Sequence, residues 1–226
     1  MDSLTAIGLG LAGVLAGVPV AALAYSAPVT GPVRMPPRWW VGGPAKPALV
    51  ATAAGGSGAA SAVIGAAVPT PALAAFWLHA VLGIGLSIID VRTHRLPFRV
   101  TGALWASSGL CFIAAAAVDA DATMLTRAVT AGTATAVVLL IVALALPGEL
   151  GLGDVALAGA ITFNLGWLSW TTAATGLIAG LLIQSAADLT RRISGRTQTA
   201  LPMGPALIAG WMLAVVHTAL QAQPHV

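Results

Sequence analysis

Two aspartates stand at the edges of apolar runs in a chain of which only 8% is charged. Asp90 ends the apolar run Ile88-Ile89-Asp90 and leads into Val91-Arg92-Thr93-His94-Arg95-Leu96-Pro97. Asp154 closes the glycine-rich acidic turn Gly148-Glu149-Leu150-Gly151-Leu152-Gly153, just before the apolar stretch Val155–Trp170. A carboxylate costs about 2.5–3.5 kcal/mol at mid-helix on insertion scales, and less at an end, so its presence calls for a reason. Taken singly, Asp154 reads as a helix N-cap, accepting an orphan N–H at the positive end of the dipole. Taken as a pair, two carboxylates that meet within a few Å resist ionising together and share a proton. One can then activate water while the other protonates a carbonyl oxygen or a leaving amine, which is acid–base peptide hydrolysis. Metal binding is the competing chemistry, but His94 is the sole candidate third ligand. With so thin a ligand set, neither metal nor other cofactor is expected.

The surroundings of these residues are set by composition. The 226 residues are 58% hydrophobic and 8% charged, with a mean hydropathy of +0.93, which describes a multi-pass membrane protein. An isoelectric point near 10.0 does not imply nucleic acid here, because the ten basic residues sit in clusters between apolar spans. The lone Cys111 excludes a disulfide framework and a paired-cysteine zinc site, and packing is its expected role. Ala22-Leu23-Ala24 resembles a signal cleavage site, yet no basic residue precedes the run from Leu4 to Ala24, which reads as the first transmembrane helix.

A proline-rich loop, Pro28–Lys46, carries Trp39-Trp40 toward the interface. Further spans are expected at about Pro47–Val68, Ala72–Asp90, Phe98–Val118, Met124–Leu146, Asp154–Trp170, Thr171–Leu189 and Leu201–Leu220. The fold class is therefore all-α, a polytopic membrane helical bundle of about eight transmembrane helices. Trp167 and Trp170 are placed for an aromatic belt at the far end of the sixth span.

If the spans alternate, Arg34, Arg38, Lys46, Arg92, Arg95, Arg99, Arg191, Arg192 and Arg196 fall on one side and Arg127 alone on the other. The positive-inside rule then puts both termini outside and both aspartates at the cytoplasmic ends of their spans. Among the remaining polar residues, Asp188 reads as a helix-end partner of Arg191 and Arg192, and Asn164 and Gln184 as interhelical hydrogen-bonders. His79 is three turns from Asp90, too far for direct participation.

Asp90-Val-Arg-Thr-His-Arg-Leu-Pro97 resembles the first catalytic motif of the type IV prepilin peptidases, and Gly151-Leu-Gly-Asp154 their second, the GxGD signature. Pro202-Met203-Gly204-Pro205 is similar to the Pro-Phe-Gly-Pro that opens the family's last helix. The likeness covers about Leu86–Met212. It implies a membrane aspartic protease that removes a short basic cytoplasmic leader from type IV prepilins or pseudopilins, cutting after a glycine in the bacterial inner membrane. Asp90 and Asp154 are then the catalytic pair. Gly151, Gly153, Glu149, Pro97, Pro202, Gly204 and Pro205 are the expected substrate-binding positions.

Residues 1–70 would be divergent N-terminal helices and 71–222 the peptidase core of a single membrane domain. Lipid and the prepilin are the implied partners, nucleic acid is not, and self-association is left open. The chain departs from the family pattern at Phe98, where an Asp is usual, and at Ala156, where a Lys is usual. It also lacks the CxxC loop tied to N-methylation, so a peptidase-only form is expected. The alternative is a noncatalytic membrane component of a pilus or secretion assembly that keeps this fold. A proton-coupled transporter is a third reading, without a visible inverted repeat to support it.

Overall fold

The computed structural model describes residues 3–28, 31, 33–148, 150–195 and 201–221. Its helices are α1 (Ser3–Ser26), α2 (Pro47–Ala67), α3 (Leu73–Thr93), α4 (Phe98–Asp119), α5 (Thr123–Ala145), α6 (Leu152–Gly166), α7 (Trp170–Ile193) and α8 (Gly204–Gln221). Among the described residues there is no strand. Seven of these helices are long and apolar enough to cross a bilayer. The protein is a multi-pass helical bundle, as composition implied. Outward faces carry bare aliphatic side chains such as Leu11, Ile141 and Leu182, an arrangement that lipid stabilises and water does not.

The eighth helix, α6, departs from expectation. It has 15 residues, hence a length of about 22 Å, short of the roughly 30 Å hydrocarbon core. Nearly the whole of it from Val155 onward is buried, so its neighbours are helices rather than lipid and its length need not match the bilayer. Small residues allow this enclosure: a Cβ on Gly159 would lie 3.2 Å from the carbonyl oxygen of Gly132 in α5. Close backbone approach of this kind is how helices associate where lipid offers no hydrophobic drive. Beside the same contact, Trp105 of α4 stacks on Phe163 with centroids 5.0 Å apart and donates its indole N–H to the Ala156 carbonyl at 2.9 Å.

Because α6 ends inside the protein, its terminal carbonyls need protein partners. Arg127 supplies them from α5. Its Nε donates to the Gly166 oxygen at 2.7 Å, and its Nη2 donates to the carbonyls of Trp167 and Leu168. The one arginine that stands against the charge asymmetry of the loops is thus a helix C-cap, with the cation at the negative end of the dipole. Trp167 follows the same logic: it is buried and stacked on Phe112 at 4.4 Å, so it packs in the core rather than in an aromatic belt, while Trp170 is exposed.

Arg92 repeats the arrangement at the opposite end of the bundle. It donates to the Ala24 carbonyl at 2.6 Å and covers the Tyr25 ring, tying the end of α1 to α3. Replacing Arg127 by Ala leaves three carbonyls without their charged donor. The expected cost is about 2–3 kcal/mol, read as a lowered thermal midpoint of the purified protein in detergent.

Candidate active site

Asp90 is in the last turn of α3, which runs on to Thr93 rather than stopping at the aspartate. It is 4% exposed. Its Oδ2 accepts the backbone N–H of Gly204 at 2.7 Å, and the Met203 N–H also points at the group. These donors stand at the start of α8, where orphan N–H groups and the positive end of the dipole seek an anion. A carboxylate from α3 therefore does for α8 what a local N-cap does elsewhere. The Pro-Met-Gly-Pro segment suits the role. Pro205 has no N–H to satisfy, and a Cβ on Gly204 would sit 3.0 Å from Asp90 Oδ2.

Asp154 is not the N-cap of α6. Gly151 is, and Asp154 is the third helical residue, its backbone N–H donating to the Gly151 carbonyl at 3.0 Å. Its carboxyl group folds back over the cap residue, where a Cβ on Gly151 would lie 2.8 Å from Asp154 Oδ2. Both aspartates thus belong to helix termini, each by a different route. Asp90, His94 and Asp154 line one cavity.

Leu96 joins the two motifs. A Cβ on Gly153 would come within 2.8 Å of the Leu96 Cβ and 3.0 Å of its carbonyl oxygen, and Leu96 Cδ2 also lies against Gly204. Only glycine lets the α3–α4 loop lie flat on the first turn of α6. His94 sets that loop's direction. It adopts a left-handed conformation, φ 50°, and donates its N–H to the Asp90 carbonyl at 2.8 Å, ending α3.

The aspartates share an open cavity of about 510 Å³. Its walls come from the α3–α4 loop (His94, Arg95, Leu96, Pro97, Phe98, Arg99), from Gly151, Leu152 and Gly153, and from Pro28, Gly31 and Val33 between α1 and α2. Of the residues expected at the site, Asp90, Asp154, Gly151, Gly153 and Pro97 meet here. Gly204 stands behind Asp90, with Pro202 and Pro205 flanking it outside the cavity wall, and Glu149 lies outside the described residues.

Leu96 gave no chemical signal in the sequence, since an aliphatic residue there reads as packing. The contribution of the α1–α2 loop is a long-range contact that local pattern does not encode. Asn164 makes its interhelical bond, accepting from Trp211 at 2.9 Å. Gln184 instead donates to Asp188 within α7. Among the described residues no cluster of three His, Cys, Asp or Glu could hold a metal ion.

The class defined so far is a multi-pass helical membrane protein with two carboxylates lining one cavity at the ends of its helices. The sequence model of the type IV leader peptidase family matches residues 77–217, more than half of the chain. The chain belongs to that family, and at family level it is a leader peptidase-like protease. No curated protein and no solved structure gives a significant match.

The contact between Gly153 and Leu96 has a measurable consequence. Gly153→Ala should cost about 1–3 kcal/mol through overpacking. Gly102→Ala, where a Cβ meets nothing within 4 Å, should leave the thermal midpoint in detergent unchanged or raise it.

Proposed function

We propose that this chain is an aspartic endopeptidase of the bacterial cytoplasmic membrane that removes the short basic leader of type IV prepilin-like proteins after a glycine. The observation that carries the reading is the convergence of Asp90 and Asp154 on one open cavity. On this reading the clustered arginines of the loops mark the cytoplasmic side, both termini are outside, and the cavity opens where a cytoplasmic leader would emerge. Residues 71–222 form the peptidase core.

The hydrogen bonds divide the work among the carboxyl oxygens. Asp90 Oδ2 is committed to Gly204, so its other oxygen and the Asp154 carboxyl group are those available to water and to the scissile carbonyl. The pair holds one proton between its members. The deprotonated member takes a proton from the attacking water while the protonated member gives its own to the carbonyl oxygen; the first then passes its proton to the leaving amine as the second recovers one from the collapsing diol, which restores the pair. The Gly204 N–H fixes the Asp90 carboxyl group before substrate arrives, so less reorganisation is left to the reaction step. Gly151, Gly153 and Pro97 give the peptide a wall of backbone with few side chains in its way.

The absence of a CxxC loop from the sequence supports a peptidase without N-methyltransferase activity. A noncatalytic assembly component is the second reading, favoured by Phe98 and Ala156 at positions where the family pattern has charge.

Protein reconstituted in lipid with a prepilin-type substrate should release a leader ending in glycine, detected by mass. Either Asp90→Asn or Asp154→Asn should lower the rate by about a thousandfold or more, the loss expected when a member of a coupled catalytic unit is removed. Chelator should leave it unchanged. An intact substrate beside an active control peptidase would favour the noncatalytic reading.

A further inference from the structure

The helices that carry the two aspartates touch each other little, and both pack on α8. α8 is bonded at two levels. At its first residue, Gly204 donates to Asp90 on α3. Seven residues on, about 10 Å deeper, Trp211 donates its indole N–H to Asn164 Oδ1 on α6 at 2.9 Å. The His79 ring of α3 stacks on the same indole, centroids 4.8 Å apart and planes 24° from parallel. Asn164 lies ten residues from Asp154, and His79 eleven from Asp90. At 1.5 Å per residue both are about 15–16 Å from the aspartate on their helix.

His79, Trp211 and Asn164 are fully buried. Fold stability alone does not account for His79 and Asn164. Both ring nitrogens of His79 and the Asn164 Nδ2 have no hydrogen-bond partner among the described residues, a cost that apolar side chains of similar size would avoid. What a directional bond and a ring stack add is registry. Arg127 and Trp105 already anchor α6 on α5 and α4, but neither ties it to α8, the helix that also holds Asp90. An indole N–H on one amide oxygen does.

We propose that Asn164, Trp211 and His79 form a positioning brace that fixes the axial registry of α6 and α3 through α8, and thereby the separation of Asp154 from Asp90. The kinetic consequence rests on the peptidase reading above; the geometric one does not. Slippage of α6 by a fraction of a helical turn would carry Asp154 away from Asp90 with the bundle still assembled. None of the three residues touches substrate. Their effect on the reaction passes through the aspartates.

The test uses the full chain in lipid, comparing wild type with Trp211→Phe, which keeps a ring beside His79 but removes the N–H, and with Asn164→Leu, which removes the acceptor at similar volume. The first readout is the distance distribution between spin labels at Val91→Cys on α3 and Leu152→Cys on α6, both exposed positions, in a Cys111→Ser background. It should be narrow in wild type and broadened in both variants. The second is cleavage of a prepilin-type substrate, where kcat should fall by about tenfold or more with KM within about twofold. The thermal midpoint reports folding alongside. A well-folded Trp211→Phe or Asn164→Leu protein with the wild-type distance distribution overturns the brace. If wild type cleaves nothing while the distribution still broadens in the variants, the peptidase reading fails and the brace stands.

Discussion

The structure depends on one exchange between helices: the carboxylate of Asp90 on α3 stands at the N-terminus of α8 and takes the Gly204 N–H at 2.7 Å. A helix start buried in protein needs acceptors for its free N–H groups, and a buried carboxylate needs donors. Each meets the other's need. The same bond holds α8 against α3, leaves the other Asp90 oxygen for the chemistry proposed, and explains why glycine occupies position 204, where a side chain would crowd Oδ2. Asp90 is therefore structural before it is chemical. Its replacement by Asn keeps an acceptor oxygen for Gly204 while removing the acid, which makes Asn a cleaner substitution than Ala at this position.

Around that exchange the bundle isolates α6 from lipid. Its far end is closed by Arg127, its near end by the Gly151 cap and the Leu96 contact, and its flank by Trp105 and Trp211. A helix of 15 residues can carry Asp154 at a depth set by its protein neighbours instead of by bilayer thickness. Enclosure makes the position of Asp154 a property of packing, and it leaves the cavity walled by loops that a substrate can approach.

Apolar runs of about twenty residues made the long helices legible, and the start residues Pro47 and Phe98 coincide with the beginnings of α2 and α4. The spacing of Asp90 and Asp154, with their glycine and proline neighbours, made the candidate pair legible too. The ends were harder to read. α3 continues a turn past Asp90 because His94, in a left-handed conformation, is what closes it. α6 begins before Asp154 because Gly151 caps it. Trp167 looked like an interfacial residue, since nothing local signals that α6 stops short of the membrane boundary. Leu96, Trp211 and the α1–α2 loop act through contacts between distant segments, and a pattern read along the chain does not contain those.

The central claim, that Asp90 and Asp154 act together on a peptide bond, is tested most directly by a leader-spanning peptide whose scissile amide is replaced by a hydroxyl-bearing tetrahedral isostere. Such a group mimics the species formed when water adds to the carbonyl. Wild-type protein in lipid should bind it about a hundredfold or more tighter than the parent amide, and both Asp90→Asn and Asp154→Asn should lose that preference while still binding the amide. Equal affinity of wild type for the two peptides, or a preference that survives either substitution, would contradict the account.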